Sequence, residues 1–389
     1  MKKESGRIYL DHAATTPVRE TVLQAMLPFF GETFGNPMSL YMEGQTARNA
    51  VETARKKIAD LAGAAKEEIV FTGSGTEADN WAILGGSALA GEGKRHIVTT
   101  AIEHHAVLEP CRFLQQQGYD ITYVRPDASG LIRPEDVLQA VRDDTCLVSC
   151  MMVNNETGAI MPVEKIGEAL RDRHVLFHVD AVQALGKLPI DLSKLPVDLM
   201  SFSAHKIGGP KGIGALYIRR GLTLPPLLRG GVQERGRRAG TENVPSIVGF
   251  GEAAALAKEE LADLEKHLLR LRRVFVQGIE DNLDQVRFHG AAKDPGGMFL
   301  PGIINISFEG IQAESLLILL DMHGISVSSG SACMSGAGQA SHVLSAMGLE
   351  TDEIESSLRF SFGAENTEEE MASAAAIVSD CVKRLRSLS

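Results

Sequence analysis

Four residues at the end of one apolar run could do amine chemistry. Leu199 to Phe202 reads as a buried strand that runs out into Ser203-Ala-His205-Lys206 and then a Gly-Gly-Pro loop. An amine at the carboxyl end of a strand becomes a nucleophile for Schiff-base formation when desolvation and nearby cations lower its pKa. A second run, ending in His178-Val-Asp180-Ala-Val-Gln183, offers a carboxylate and an amide at the end of another strand. A third place is Thr72-Gly-Ser-Gly75-Thr76, a small-residue turn that opens a helix after a short strand. Free N–H groups and the positive end of the helix dipole bind phosphate at such a turn. The turn lacks the Walker lysine and the Gly-x-Gly-x-x-Gly spacing, which disfavours a nucleotide site.

Together these residues supply what pyridoxal phosphate requires of a protein. Lys206 would attach the cofactor through its amine, and Asp180 would keep the ring nitrogen protonated. Gly75, Thr76, Ser203 and His205 would hold the phosphate. His104 could stack on the ring, and Gln183 and Asn155 could hydrogen-bond its hydroxyl.

Cys333 offers a second kind of chemistry. It sits in Ser328-Ser-Gly-Ser-Ala-Cys333-Met-Ser-Gly336-Ala-Gly338, whereas buried structural cysteines usually have large apolar neighbours. The expectation is an exposed, mobile thiol that can meet a bound substrate and leave with an atom of it. Nucleophilic action requires the thiolate, through a depressed pKa or a nearby base such as His104. Cys146, Cys150 and Cys381 read as packing thiols, and the absence of any Cys-x-x-Cys pair argues against a disulfide frame or a structural metal site.

The elements that must position these groups alternate in type. Strands are expected at 68–71, 96–101, 121–124, 146–153, 175–179, 199–202 and 213–218, with helices between them. This alternation predicts an α/β fold with a mainly parallel seven-stranded sheet and ligands at the strands' carboxyl ends. Glu103-His104, Asn154-Asn155-Glu156, Asp180 and Ser203 to Lys206 all fall at such ends. Pro17 is expected to start a helix, and helices are expected over 44–61, from about 251 to 283 and over 367–387. A chain of 389 residues exceeds one compact core. The division expected is a large cofactor-binding α/β domain, 16–259, and a smaller α+β domain, 1–15 with 260–389, that carries the cysteine segment.

The formal charge of −11 opposes binding to nucleic acid or to an anionic membrane surface. The first residues lack an apolar signal core, and no stretch approaches a membrane span. A cytoplasmic location is expected.

Nine blocks in order resemble one family. They are Tyr9-Leu-Asp-His-Ala-Ala-Thr-Thr-Pro17, Phe34-Gly-Asn-Pro37, Gly75-Thr-Glu-Ala-Asp-Asn80, Glu103-His-His105, Asn154-Asn-Glu-Thr-Gly158, His178-Val-Asp-Ala-Val-Gln183, Ser203-Ala-His-Lys206, Arg238-Ala-Gly-Thr-Glu-Asn-Val244 and Ser329-Gly-Ser-Ala-Cys333. They resemble the motifs of cysteine desulfurases of the NifS/IscS type over nearly the whole chain. The resemblance implies the fold type I architecture of class V aminotransferases, with pyridoxal 5'-phosphate on Lys206. It implies conversion of L-cysteine to L-alanine, with sulfur left as a persulfide on Cys333 and passed to an acceptor or iron–sulfur scaffold protein. It further implies a homodimer in which Thr241 reaches the neighbouring subunit's cofactor phosphate. Arg359 matches the carboxylate-binding arginine, and Asn36 and Asn155 match positions that help hold the substrate. An aminotransferase would instead need a keto-acid acceptor and no Cys333, and a plain binding protein would take up no cofactor.

Overall fold

A computed structural model describes residues 6–89, 91, 93–290, 297–330 and 340–388. Its strands in chain order are β1 (Ile8–Tyr9), β2 (Ile69–Thr72), β3 (His96–Thr100), β4 (Asp120–Val124), β5 (Thr145–Ser149), β6 (Leu176–Asp180), β7 (Leu199–Ser203), β8 (Gly214–Ile218), β9 (Val286–His289), β10 (Ile303–Phe308), β11 (Ile325–Ser326) and β12 (Ser357–Ser361). Seven of them form one sheet in the order β2-β8-β7-β6-β5-β3-β4. Only β8 runs against its neighbours. β2, β3, β5, β7 and β8 are buried at every position, as parallel sheets covered by helices on both faces must be.

Two sequence expectations shift for tertiary reasons. The strand expected to reach residue 153 stops at Ser149, because the chain bends into a turn that Asn154 closes by accepting the N–H groups of Glu156 and Thr157 on Oδ1. The first helix does not start at Pro17 but spans Glu20–Met26. Thr16 and Arg19 give their N–H groups to the carbonyls of His205 and Gly208 instead, which ties the entry segment to the lysine turn.

The helix from Met42–Ala62 buries Ala47, Val51, Ala54 and Ile58 on one stripe. The long helix spans Val244–Glu280, starting earlier than its charged stretch suggests because Asn243 caps it through Ser246 N–H. The last helix, Glu368–Arg386, opens with a capping box between Thr367 and Glu370.

A second, antiparallel sheet has the order β12-β10-β9. Its apolar face packs with Leu10, Leu271, Phe275, Leu316, Leu320 and Val378 in a core of its own. Segments around 299–303 and 343–354 pack on the larger core instead. β1 pairs with β11, so the first described residues lie beside the C-terminal part of the chain.

Candidate active site

A cavity of about 200 Å³ opens at the carboxyl ends of the large sheet. Its lining comes largely from residues at or just beyond the carboxyl ends of five strands. The chain after β2 brings Gly75 and Thr76, after β3 His104, after β5 Asn155, after β6 Asp180 and Gln183, and after β7 Ser203, His205 and Lys206. Arg359 enters from β12 of the second sheet.

Lys206 Nζ donates to the carbonyls of Ala13 and Ala14, at 2.7 and 2.8 Å. Ala13 O also accepts from Gln183 Nε2 at 2.8 Å, and Gln183 Oε1 accepts from Lys187 Nζ at 2.8 Å. The entry segment 13–16 therefore forms a wall of the site, a role its composition does not reveal.

Asp180 is almost fully buried, and its Oδ1 accepts the N–H of Val182 at 2.9 Å. Burial, reinforced by the nearby carboxylate of Asp79, raises its pKa to about 7. Asp79 itself is pushed to about 7 by burial. A carboxylate held so far from water gains from a cationic partner in the cavity.

His104 ends the turn before the helix His105–Gln116, and its Nδ1 accepts the N–H of Ala106 at 3.1 Å. A backbone N–H can only donate, so in the neutral ring the proton sits on Nε2. Burial, with Lys206 close by, lowers the pKa of His104 to about 4. Its ring is a neutral hydrogen-bond donor in this arrangement, which suits stacking better than taking a proton from a thiol. His205 is likewise lowered to about 4 by burial, and its Nδ1 lies 3.1 Å from Thr15 Oγ1.

Arg359 is 1% exposed. Nη2 donates to Asp11 Oδ1 at 2.7 Å and Nη1 to Asn155 O at 3.0 Å, while Nε has no partner among the described residues. A buried guanidinium with a donor to spare, on the wall of a cavity, can take a carboxylate.

Pyridoxal phosphate fits this donor set. A Cβ at Gly75 would lie 2.8 Å from Val182 Cγ2 and 3.3 Å from Ser203 Cβ, so only glycine lets the helix start Gly75–Leu89 come this close to β7. That approach sets the helix N-terminus beside Ser203 and His205, where a phosphate dianion is stabilised.

Two expected site residues stand elsewhere in the single chain. Asn36 is exposed, and its Oδ1 is used to accept Met38 N–H in its own turn. Thr241 is exposed and does not line the cavity. Cys333 lies outside the described residues. The other four cysteines are buried, and burial raises Cys111 to about 12, Cys146 to about 11, and Cys150 and Cys381 above their ordinary value. Sequence reasoning left Asp11, Asp79, Lys187 and the Ala13 carbonyl without roles. Asp11 and Asp79 at least stand inside blocks that carry the resemblance.

The family model described as aminotransferase class V matches residues 8–373, and the chain belongs to that family. Its architecture is that of fold type I pyridoxal-phosphate enzymes. Among curated relatives, a cysteine desulfurase IscS of Methanosarcina thermophila is 47% identical over 386 residues, covering 99% of this chain and 94% of the relative. A putative cysteine desulfurase IscS 1 of Bacillus subtilis strain 168 is 49% identical over 383 residues, covering 97% and 99%. A solved structure described as a NifS-like protein superposes with a TM-score of 0.91 at 39% identity, over 97% of this chain and all of that one. Another, described as SspA in complex with cysteine, gives 0.81 at 38% identity over 91% of this chain and 98% of its own. Among the described residues, no helix is long and apolar enough to cross a membrane.

Proposed function

We propose that this chain is a pyridoxal-phosphate-dependent cysteine desulfurase that takes sulfur from L-cysteine, leaving L-alanine and a persulfide on Cys333. The observation that carries the reading is the joining of Lys206, Asp180 and Arg359 in one cavity, because an attachment amine, a buried carboxylate and a guanidinium with a donor to spare are what this cofactor and an amino-acid substrate require. The cysteine desulfurases among its relatives, and a neighbour described as a complex with cysteine, support the substrate.

When bound, pyridoxal phosphate supplies an electron sink for charge developing at the substrate's α-carbon. Lys206 would hold it through Nζ, and the same atom would carry the substrate's α-proton. Asp180 would be held ionised by the cofactor's protonated ring nitrogen and would in turn keep that nitrogen protonated. Gly75, Thr76, Ser203 and His205 would hold the phosphate, His104 would stack on the ring, and Gln183 and Asn155 would hydrogen-bond its hydroxyl. Arg359 binds the substrate carboxylate, which fixes the side-chain sulfur's direction. The Cys333 thiol forms the new S–S bond as the substrate's C–S bond breaks. With the thiol's hydrogen counted, one cysteine becomes one alanine, and no outside oxidant or reductant is needed. The four described thiols are buried and poorly ionised, which leaves Cys333 for this step.

The chain is read as a large unit, 16–259, and a small one, 1–15 with 260–389, the long helix running across their boundary. A homodimer fits the exposed Phe30, Phe34, Leu40, Tyr41, Met42 and Val232, which gather on the segments near Asn36 and Thr241. In that assembly Thr241 serves the neighbour's phosphate. The persulfide passes to an acceptor or iron–sulfur scaffold protein, and the protein works in the cytoplasm.

The test is alanine formation from L-cysteine by the purified, yellow protein with no keto acid added. Alanine in proportion to persulfide or sulfide supports the reading. A requirement for a keto acid would show an aminotransferase, and a colourless protein that takes up no cofactor would show a binding protein.

A further inference from the structure

Glu156 is fully buried, next to Asn155, and the proposed chemistry does not use it. Its carboxylate lies against described residues on both sides of the segment that carries Cys333. On one side Oε2 accepts from Ser341 Oγ at 2.5 Å, a short charge-assisted contact. Ser341 Oγ also accepts Leu344 N–H at 3.1 Å, so the same hydroxyl caps the helix His342–Ala346. On the other side Oε2 lies where a Cβ on Gly330 would come within 3.0 Å, and Gly330 has φ +107, which side-chain-bearing residues rarely adopt.

The same turn is tied to the substrate side. Arg359 Nη1 holds Asn155 O, and the backbone of Arg359 pairs with Ser328, through Arg359 N to Ser328 O at 2.7 Å and Ser328 N to Arg359 O at 3.3 Å. Glu156 N is fixed by Asn154 Oδ1 at 2.9 Å. His342 adds a contact from Nε2 to the Glu103 carbonyl at 2.9 Å, next to His104. Stability does not explain this carboxylate. Its Oε1 has no partner among the described residues, and a buried, half-satisfied acid costs free energy.

We propose that Glu156 is a positioning residue that fixes Gly330 and Ser341, the described residues on either side of the segment that carries Cys333, in register with the cavity wall at Asn155 and Arg359. It holds Ser341 through the hydrogen bond to Oε2, and it limits Gly330 to a residue without a side chain. This rests on the reading of Cys333 as the sulfur-accepting thiol.

The experiment compares the holoenzyme with Glu156→Ala, Glu156→Gln, Ser341→Ala and the Glu156→Ala/Ser341→Ala double variant. Three quantities are read: kcat and KM for alanine formation, the cofactor's absorbance change on adding cysteine, and the rate of Cys333 alkylation by iodoacetamide mapped by mass spectrometry. Glu156→Ala is expected to keep the cofactor band and a KM within about threefold, while kcat falls about 10- to 100-fold, as for a displaced reacting group. Cys333 alkylation should change several-fold. Glu156→Gln, whose amide oxygen still accepts from Ser341, should recover most of the rate. Ser341→Ala should reproduce part of the loss, and the double variant should fall short of the summed effects.

An unchanged kcat and alkylation rate in Glu156→Ala would overturn the proposal. Loss of the cofactor band with a parallel rise in KM would do so too, since that marks a general structural role. If Glu156→Ala does not fold, Ser341→Ala decides, and wild-type values for both rates there reject the idea. Wild-type alanine formation by Cys333→Ser would sink the reading of the cysteine instead, while the alkylation comparison would still judge Glu156.

Discussion

Two buried arginines show how a structural charge differs from one poised for a ligand. Arg55, on the helix Met42–Ala62, spends both terminal nitrogens on Glu234, at 2.7 and 2.8 Å, and adds Ile69 O and Glu52. Glu234 in turn accepts Phe71 N–H, and the guanidinium sits 4.7 Å from the Phe71 ring. Every donor nitrogen is used, and Arg55 does not line the cavity at the sheet's carboxyl edge. Arg359 is as deeply buried, yet among the described residues its Nε has no partner, and it borders the cavity. Burial and charge alone therefore do not mark a site. Unspent hydrogen-bonding capacity beside an opening does.

The contrast can be broken first at the groups with most to lose. Lys206→Ala should leave no covalent cofactor to trap with borohydride and should lower alanine formation by at least about 1,000-fold, the scale of a lost catalytic group. Cys333→Ser should stop the reaction as completely while the yellow band persists. A borohydride adduct unchanged in Lys206→Ala, or undiminished turnover in Cys333→Ser, would remove the corresponding role.

The arginines should then fail in opposite ways. Arg359→Ala is expected to raise KM for cysteine by about 30- to 150-fold, the equivalent of about 2–3 kcal/mol for hydrogen bonds to a charged group. Arg55→Ala should leave KM near wild type in the folded fraction. It strands Glu234 without its partner and should lower stability by about 3–5 kcal/mol, seen as a lower midpoint in urea. If Arg55→Ala shifted KM while Arg359→Ala shifted only the midpoint, the distinction between the two would be wrong.

A smaller effect concerns Asp180. Its folded pKa, raised to about 7 chiefly by burial even with Lys206 nearby, lies above the ordinary carboxylate value near 3.8. A raised acid binds its proton more tightly when folded, so it adds stability at low pH. That contribution is lost as pH climbs from about 4 to about 7. The cofactor-free protein should therefore lose stability across that window, and Asp180→Asn should flatten the loss, with Asp79 leaving a residual slope. Bound cofactor should also flatten it if, as proposed, its cationic ring nitrogen meets Asp180. Melting temperatures from pH 5 to 7.5 check this, and identical slopes in all three forms would contradict it.

Much of the site is legible because a parallel sheet collects the carboxyl ends of its strands on one edge. Asp180, Ser203, His205 and Lys206 each follow an apolar run whose length and composition announce a strand, so their convergence needs no coordinates. Gly75 is legible for the same reason, and Arg359 through its resemblance to a known motif. Lys187 was not legible, because a lysine after a glycine reads as surface and only the partner at Gln183 shows otherwise. The Ala13 carbonyl was hidden too, since a main-chain acceptor has no signature in residue type. Asn36 and Thr241 mark the converse. Their motifs are plain, but a single chain does not bring either to the cavity.

The amino-acid sequence by itself determined the alternation of elements and the sheet edge at which the polar groups gather, and it offered Lys206, Asp180 and Cys333 as the candidate amine, acid and thiol. These follow from local hydrophobic period and from residue type, which act over a few neighbours. Only the tertiary structure decided that Asp11 meets Arg359, that Gln183 is held between Lys187 and Ala13, and that Glu156 reaches Ser341. Those partners are separated by up to 348 residues in the Arg359 pair, and which distant groups meet is fixed by how the two cores pack rather than by any local pattern.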